Sequence, residues 1–386
     1  MRCMRVIGVA AAVMLIVICA PWLQPMEAHN PTTTTVLFHR EVVQILNAKC
    51  ASCHKPSGMS MPLQTYDEVR PWAVAIKEEV LARRMPPWPA ERGYGTFAND
   101  AGLTLREQDF LISWIEGGVP RGDGAPPPYV DHSGHWMLGA PEHIYTAPAA
   151  SESPRRGFRR YVIETRRAAA TFVRAFDFNP GDSHARAAFY TLEGTGQFLG
   201  GWTPGHSATQ FPEPSAVRLP PNARVLVDVL STSPEPPSRA PQLALYVAQS
   251  NSRAVEDLVL TPTTLTADAP WNAQRRLTAE MTLLALRIDS SEASDLIEIR
   301  ARRPDGSIEP LLLTREFADQ WQTPYVLGRP LTLPAGSVIE AAARFAAGTK
   351  EAHFSVHVQA FESDVAPVRS PAPQQPDPPR DSHHHH

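Results

Sequence analysis

Cys50-Ala51-Ser52-Cys53-His54 is the stretch on which the reading of this sequence turns. Two cysteines three positions apart, followed at once by a histidine, form the signature of covalent c-type haem attachment. The spacing has a chemical reason. Thiols about one helical turn apart can both add to the vinyl groups along one haem edge, and the adjacent imidazole then projects under the iron as proximal ligand. A bare Cys-x-x-Cys serves equally as a thioredoxin-like redox pair or as half of a zinc site. The immediate histidine and the lack of a second cysteine pair argue against both. Of the four cysteines, Cys3 and Cys19 lie in an N-terminal apolar segment, so Cys50 and Cys53 cannot belong to a disulfide framework.

Upstream, Arg2 and Arg5 precede an apolar run from Val6 to Ala20, with Pro21 and a passable cleavage site at Met26-Glu27-Ala28. Residues 1–28 are expected to be a secretory signal. Extended to Leu23, the run is just long enough for the rival reading, an uncleaved anchor. Val17 and Ile18 are too bulky for lipoprotein processing at Cys19. The expected location is the periplasm or the outer face of the cytoplasmic membrane.

Downstream, the pattern is helical to Gly118. Val42, Val43, Ile45 and Leu46 form a stripe leading into Cys50, and a second helix is expected from about Tyr66 to Ala82. A third begins at the capping-box pattern Thr104-Leu105-Arg106-Glu107 and ends at Gly117-Gly118. The sixth iron ligand is sought among Met59, Met61 and Met85. The first two lie so close to His54 that the chain would struggle to reach the opposite haem face. Met85 lies in Arg83-Arg84-Met85-Pro86-Pro87-Trp88, where two prolines stiffen the loop and Trp88 can wall a pocket. A methionine opposite His54 would favour electron transfer over oxygen chemistry. Trp72, Trp88 and Trp114 are read as pocket or core residues.

Pro126-Pro127-Pro128 marks a linker, beyond which the period changes from helical to alternating. Tyr161-Val162-Ile163, Phe172 to Phe176, Val225 to Val229 and Leu243 to Val247 read as strands, and a second series runs from Leu258 to Val358. Two successive sandwiches of about 100 residues each fit this spacing. The 39 prolines suit strand edges and loops, and a net charge of −4 with no basic stripe excludes a nucleic-acid partner. The expected division is a monohaem domain over 29–122, a linker over 123–146, sandwiches over 147–252 and 253–363, and a disordered Pro-rich tail over 364–386. No metal-binding role is drawn from His383 to His386.

The segment from Phe38 to Gly122 resembles a class I cytochrome c domain, and Arg83 to Trp88 sharpens the match. More closely, it is similar to the cytochrome module fused to copper type II, ascorbate-dependent monooxygenase-like domains, relatives of peptidylglycine α-hydroxylating monooxygenase. Shared marks are Trp136-Met137-Leu138-Gly139-Ala140-Pro141-Glu142, Tyr161, Val173-Arg174-Ala175, Asn179-Pro180-Gly181 and Gly201-Trp202-Thr203-Pro204-Gly205. The resemblance implies an all-α class I cytochrome c domain followed by two all-β, jelly-roll-like sandwiches. It also implies two copper ions held mostly by histidines. Where relatives carry a His-His pair this sequence has Ala187 and Ala188, and where they carry His-x-His it has Leu230-Ser231-Thr232. His184, His206, His353 and His357 remain, none in a paired motif at a matching position. The expectation is therefore one haem c on Cys50 and Cys53, iron ligated by His54 and Met85, and no copper. The chain would act as an electron carrier or redox-complex subunit serving a partner protein or a membrane respiratory or photosynthetic complex, with the sandwiches as docking scaffold. The alternative is a haem-fed copper oxidoreductase with unorthodox ligands.

Overall fold

The computed structural model describes residues 34–363 apart from 57, 133, 154–156, 206–207, 250–251, 262–269 and 346–352. The expected signal, the Pro-rich tail and His206 lie outside the described residues. No helix among those described is long and apolar enough to cross a membrane.

The N-terminal part is helical. A π-helical turn, Phe38–Val42, runs into α1 (Val43–Lys49), and Phe38, Val42, Val43 and Leu46 are buried as the stripe requires. The single helix expected over Tyr66–Ala82 is in fact three pieces: α2 (Tyr66–Val69), a 3₁₀ turn (Arg70–Trp72) and α3 (Ala73–Leu81). Pro71 is the reason, since it lacks the N–H that a continuous helix needs. Thr65 caps α2 and Thr104 caps α4 (Leu105–Glu116), each through a reciprocal box with a glutamate three residues on. Phe38 packs 5.8 Å from Trp114 and 5.5 Å from Tyr66, centring a core shared by all the helices.

The rest is two β-sandwiches. The first contains β1 (His143–Thr146), β2 (Ser151–Glu152), β3 (Phe158–Glu164), β4 (Thr171–Asn179), β5 (Ala185–Leu192), β6 (Phe198–Trp202), β7 (Thr209–Gln210), β8 (Ser215–Leu219), β9 (Arg224–Ser231), β10 (Gln242–Val247) and β11 (Arg253–Ala254). The second contains β12 (Glu256–Leu260), β13 (Trp271–Arg276), β14 (Met281–Ser290), β15 (Ser294–Arg302), β16 (Ile308–Phe317), β17 (Pro324–Leu333), β18 (Val338–Phe345) and β19 (Phe354–Glu362). Leaving out the short β2, β7 and β11, both follow one plan. Numbered along the chain, their strands form one sheet in the order 1-8-3-6 and a facing sheet in the order 2-7-4-5. That is a jelly roll, made twice. Two elements fall outside the expected boundaries. β1 lies within the stretch read as linker, because His143 to Thr146 pair with β10, and β11 joins the first sandwich by pairing with β8.

The three parts are not beads on a string. The chain between α3 and α4 leaves the helices and lies on the second sandwich, where Trp88 and Ala90 join the buried core. Bridges pair Ala90 with Thr314 and Phe97 with Leu327.

Candidate functional site

The Cys-x-x-Cys-His segment continues the last turn of α1. Cys50 N–H donates to Leu46 (2.9 Å), and both Cys53 (3.1 Å) and His54 (2.9 Å) donate to the Cys50 carbonyl. This turn gathers the two thiols and the imidazole. The following loop folds back at Gly58, where a Cβ would sit 2.9 Å from the carbonyl oxygens of Cys53 and Lys55. Leu63 N–H then donates to the His54 carbonyl at 3.0 Å, and the Met61 carbonyl lies 2.9 Å from His54 Nδ1. A carbonyl only accepts, so Nδ1 carries the proton and Nε2 presents its lone pair. Burial holds the His54 pKa below the usual imidazole value, against a smaller opposing effect of the Met61 bond, and this favours the neutral, ligating form.

Both cysteines are free thiols. Burial, reinforced by neighbouring Cys53, pushes the Cys50 pKa up to about 12, and burial raises that of Cys53. Cys50 packs against the helical core together with Met61. Cys53 opens onto a cleft of about 280 Å³ at the junction of all three parts of the chain. Its walls are Lys49 and Ser52 from the helices, Pro86 and Trp88 from the docked loop, and Arg186 and Trp321 from the two sandwiches. The Arg186 guanidinium lies 4.4 Å over the Trp321 ring and donates to Gln320 Oε1 at 3.4 Å. Met85 is half-buried in a crevice of about 30 Å³ that shares Pro86, Trp88 and Asp100 with this cleft. On its other side Ser52 meets a wider cleft of about 450 Å³, lined by Tyr129, Phe178 and Trp202, among others. Gly205 closes down between the two, since a Cβ there would come within 2.8 Å of Ser52 Oγ.

Met61 is placed differently: its carbonyl lies on the Nδ1 side of the imidazole, and its sulfur accepts from Ser60 Oγ at 3.2 Å. The tryptophans divide: Trp114 is core, Trp88 is buried against the second sandwich, and Trp72 is 45% exposed.

In the first sandwich, Ala187 pairs directly with Leu230, so the two positions at which the resemblance expects imidazoles face each other across β5 and β9. They are packed with Phe158, Phe189 and Phe198 in an apolar cluster. His184 stands 3.7 Å from Asp182. No group of three or more His, Cys, Asp or Glu able to hold a metal occurs among the described residues.

His353 and His357 form no paired motif in the sequence, and His357 proves to be neither a surface nor a loop residue. It is buried in β19, with Nδ1 2.8 Å from Asp257 Oδ2 and Nε2 3.3 Å from Ser355 Oγ. Ser-His-Asp in a line suggests a nucleophile relay. Ser355 is only 3% exposed, however, and none of the clefts described above reaches it. The group instead ties the sandwiches together. Asp257 Oδ2 also accepts from Phe198 N–H at 2.8 Å, and Gln359 donates to the Phe198 carbonyl at 3.0 Å. Beside it, buried Arg287 lies 4.4 Å over Phe189 and 4.9 Å over Phe198. Sequence spacing gave no sign of this joint, because Asp257 and His357 are one hundred positions apart.

No model of a known protein family matches the chain, and no curated protein sequence matches it significantly. Among solved structures, the major capsid protein P2 of bacteriophage PM2 is similar over 57% of this chain and 97% of its own, with 9% identity and a TM-score of 0.28. PNGF-II is similar over 64% of this chain and 65% of its own, with 10% identity and a TM-score of 0.23. A Paenibacillus xanthan lyase covers 62% of this chain with 28% of its own, at 8% identity and a TM-score of 0.18. At these scores the likenesses carry no functional argument.

Proposed function

We propose that the chain is an exported electron-transfer protein with one haem c attached through Cys50 and Cys53 and ligated by His54 and Met85. The observation that carries this reading is the His54 hydrogen bond to Met61 inside a Cys-x-x-Cys-His turn, which fixes the tautomer and leaves the Nε2 lone pair to serve as a ligand. Metal-bound histidines are oriented in this way by a carbonyl or carboxylate on the other ring nitrogen. The haem supplies one-electron redox chemistry. The helices hold the thiols and the imidazole, and the docked loop supplies Met85. The Met61 carbonyl bonds His54 Nδ1, and Met85 borders a crevice that shares Pro86 and Trp88 with the cleft beside Cys53, which supports Met85 as the second ligand. Electrons are exchanged with a protein partner or a membrane redox complex at the periplasmic face, and the sandwiches form the scaffold around the site.

The ligand assignment is tested by Met85→Ala. The variant is expected to keep its attached haem while losing the weak far-red absorption band of iron–methionine sulfur bonding, and its reduction potential should fall. A band that persists assigns the sixth ligand elsewhere.

The sandwiches are proposed to hold no catalytic copper, because alanine and leucine cannot ligate a metal and hydroxyls are weak copper ligands beside imidazole. After copper loading and dialysis of a chain ending at residue 363, which leaves out the histidine run His383 to His386, elemental analysis should find copper at background. Near-stoichiometric copper, lost on replacing His184 or His206, would restore the oxidoreductase reading.

A further inference from the structure

We infer that the second sandwich controls the sixth ligand of the haem: a clamp on β17 holds the loop that carries Met85, and without it the methionine leaves the iron. This rests on Met85 being that ligand. Trp88, three residues on, is the first anchor. It packs 5.2 Å from Tyr325 and 5.8 Å from Phe97, and Phe97 closes the triangle at 5.5 Å from Tyr325. Main-chain bonds follow along the loop: Glu91 N–H donates to Leu313 (2.7 Å), Ala98 N–H to Val326 (2.8 Å), and Gly328 N–H to Thr96 (2.7 Å). Asn99 completes the clamp as a two-sided side chain. Its Nδ2 donates to the Pro324 carbonyl at 2.7 Å and its Oδ1 accepts from Val326 N–H at 2.9 Å. The approach is close, since a Cβ on Gly95 would lie 2.4 Å from the Leu311 carbonyl oxygen.

The loop thus borrows its order from strands more than two hundred positions away. Freed from them, the chain between α3 and α4 would have to be ordered at the cost of its own conformational entropy to keep Met85 in one place. Tyr325 and Asn99 are therefore positioning residues, acting on the iron through Trp88 and the loop.

The test uses the full haem-loaded chain and the variants Tyr325→Ala, Asn99→Ala and Tyr325→Phe. The two alanine variants are expected to raise the population without methionine ligation about tenfold. The far-red band should weaken, the potential should fall, and proteolysis between residues 86 and 103 should speed up. Tyr325→Phe should behave as native, because the buried Tyr325 hydroxyl has no hydrogen-bond partner among the described residues. Retention of the band, potential and protection in Asn99→Ala and in folded Tyr325→Ala overturns the clamp alone. A band that survives Met85→Ala overturns the ligand assignment and the clamp with it.

Discussion

A chain with alanine at both Cys50 and Cys53, exported and matured like the native protein, is expected to carry no haem that survives denaturation. Thioether bonds are covalent, so the outcome is all or none and is read by haem staining on a denaturing gel. The two thiols lie on one turn ending α1, and the other cysteines of the sequence fall in the expected signal, which leaves no substitute nucleophile. The two sandwiches should withstand the change. A thiol behaves as a small hydrophobe, and alanine in its place costs on the order of 1 kcal/mol. Each sandwich keeps its own buried cluster, so the β-sheet circular dichroism should be unchanged. Haem that remains bound through boiling in detergent would refute the attachment site.

The second large effect is expected from Gly181→Ala, at the Asn179-Pro180-Gly181 turn that follows β4. Gly181 has φ +76°, and an added Cβ would stand 2.0 Å from the Arg239 carbonyl oxygen and 2.8 Å from its carbonyl carbon. Both obstacles are main chain and cannot rotate aside. The Gly181 carbonyl also accepts from Arg239 N–H at 3.2 Å and from Ser238 Oγ at 3.0 Å, so any shift breaks two bonds. The left-handed conformation alone costs a non-glycine residue about 1–2 kcal/mol, and the clash raises the loss to roughly 3 kcal/mol or more. A urea transition of the first sandwich moved far to lower denaturant is the expected reading, and an unchanged midpoint would show that the turn relaxes freely.

What the sequence made legible and what it hid divide along the range of the interactions. Thr104 and Glu107 announce a helix start because a capping box is complete within four residues. The change of period after Pro128 announces sheets because alternation is a property of each strand. The break at Pro71 is local too, since the proline ring removes the N–H that a continuous helix needs. No periodicity reveals the doubled strand order, since strands 1 and 8 of each jelly roll pair across nearly the whole sandwich; jelly-roll-like sandwiches are implied by the resemblance alone. The site shows the same division. Cys50, Cys53 and His54 could be named from five letters, and the Met61 carbonyl that orients the imidazole could not, because any residue has a carbonyl. Trp88 was expected to wall a pocket. That it does so from within the second sandwich depends on Tyr325 and Phe97, which no pattern around Trp88 reveals.

The contact of Gly205 with Ser52 has a consequence for assembly. Ser52 stands between Cys50 and Cys53, and the turn after β6 presses on it closely enough to exclude even a methyl group at residue 205. An enzyme that joined a macrocycle to these thiols would have to reach this turn, and the docked sandwich crowds it at Ser52. On the proposed reading, the cofactor must therefore be fixed while the sandwich is still unfolded or undocked. A chain delivered N-terminus first offers that interval, because Cys53 emerges long before β6 and its partners can close. The order of emergence then serves as the maturation timetable, and the first sandwich becomes a latch that shuts after loading.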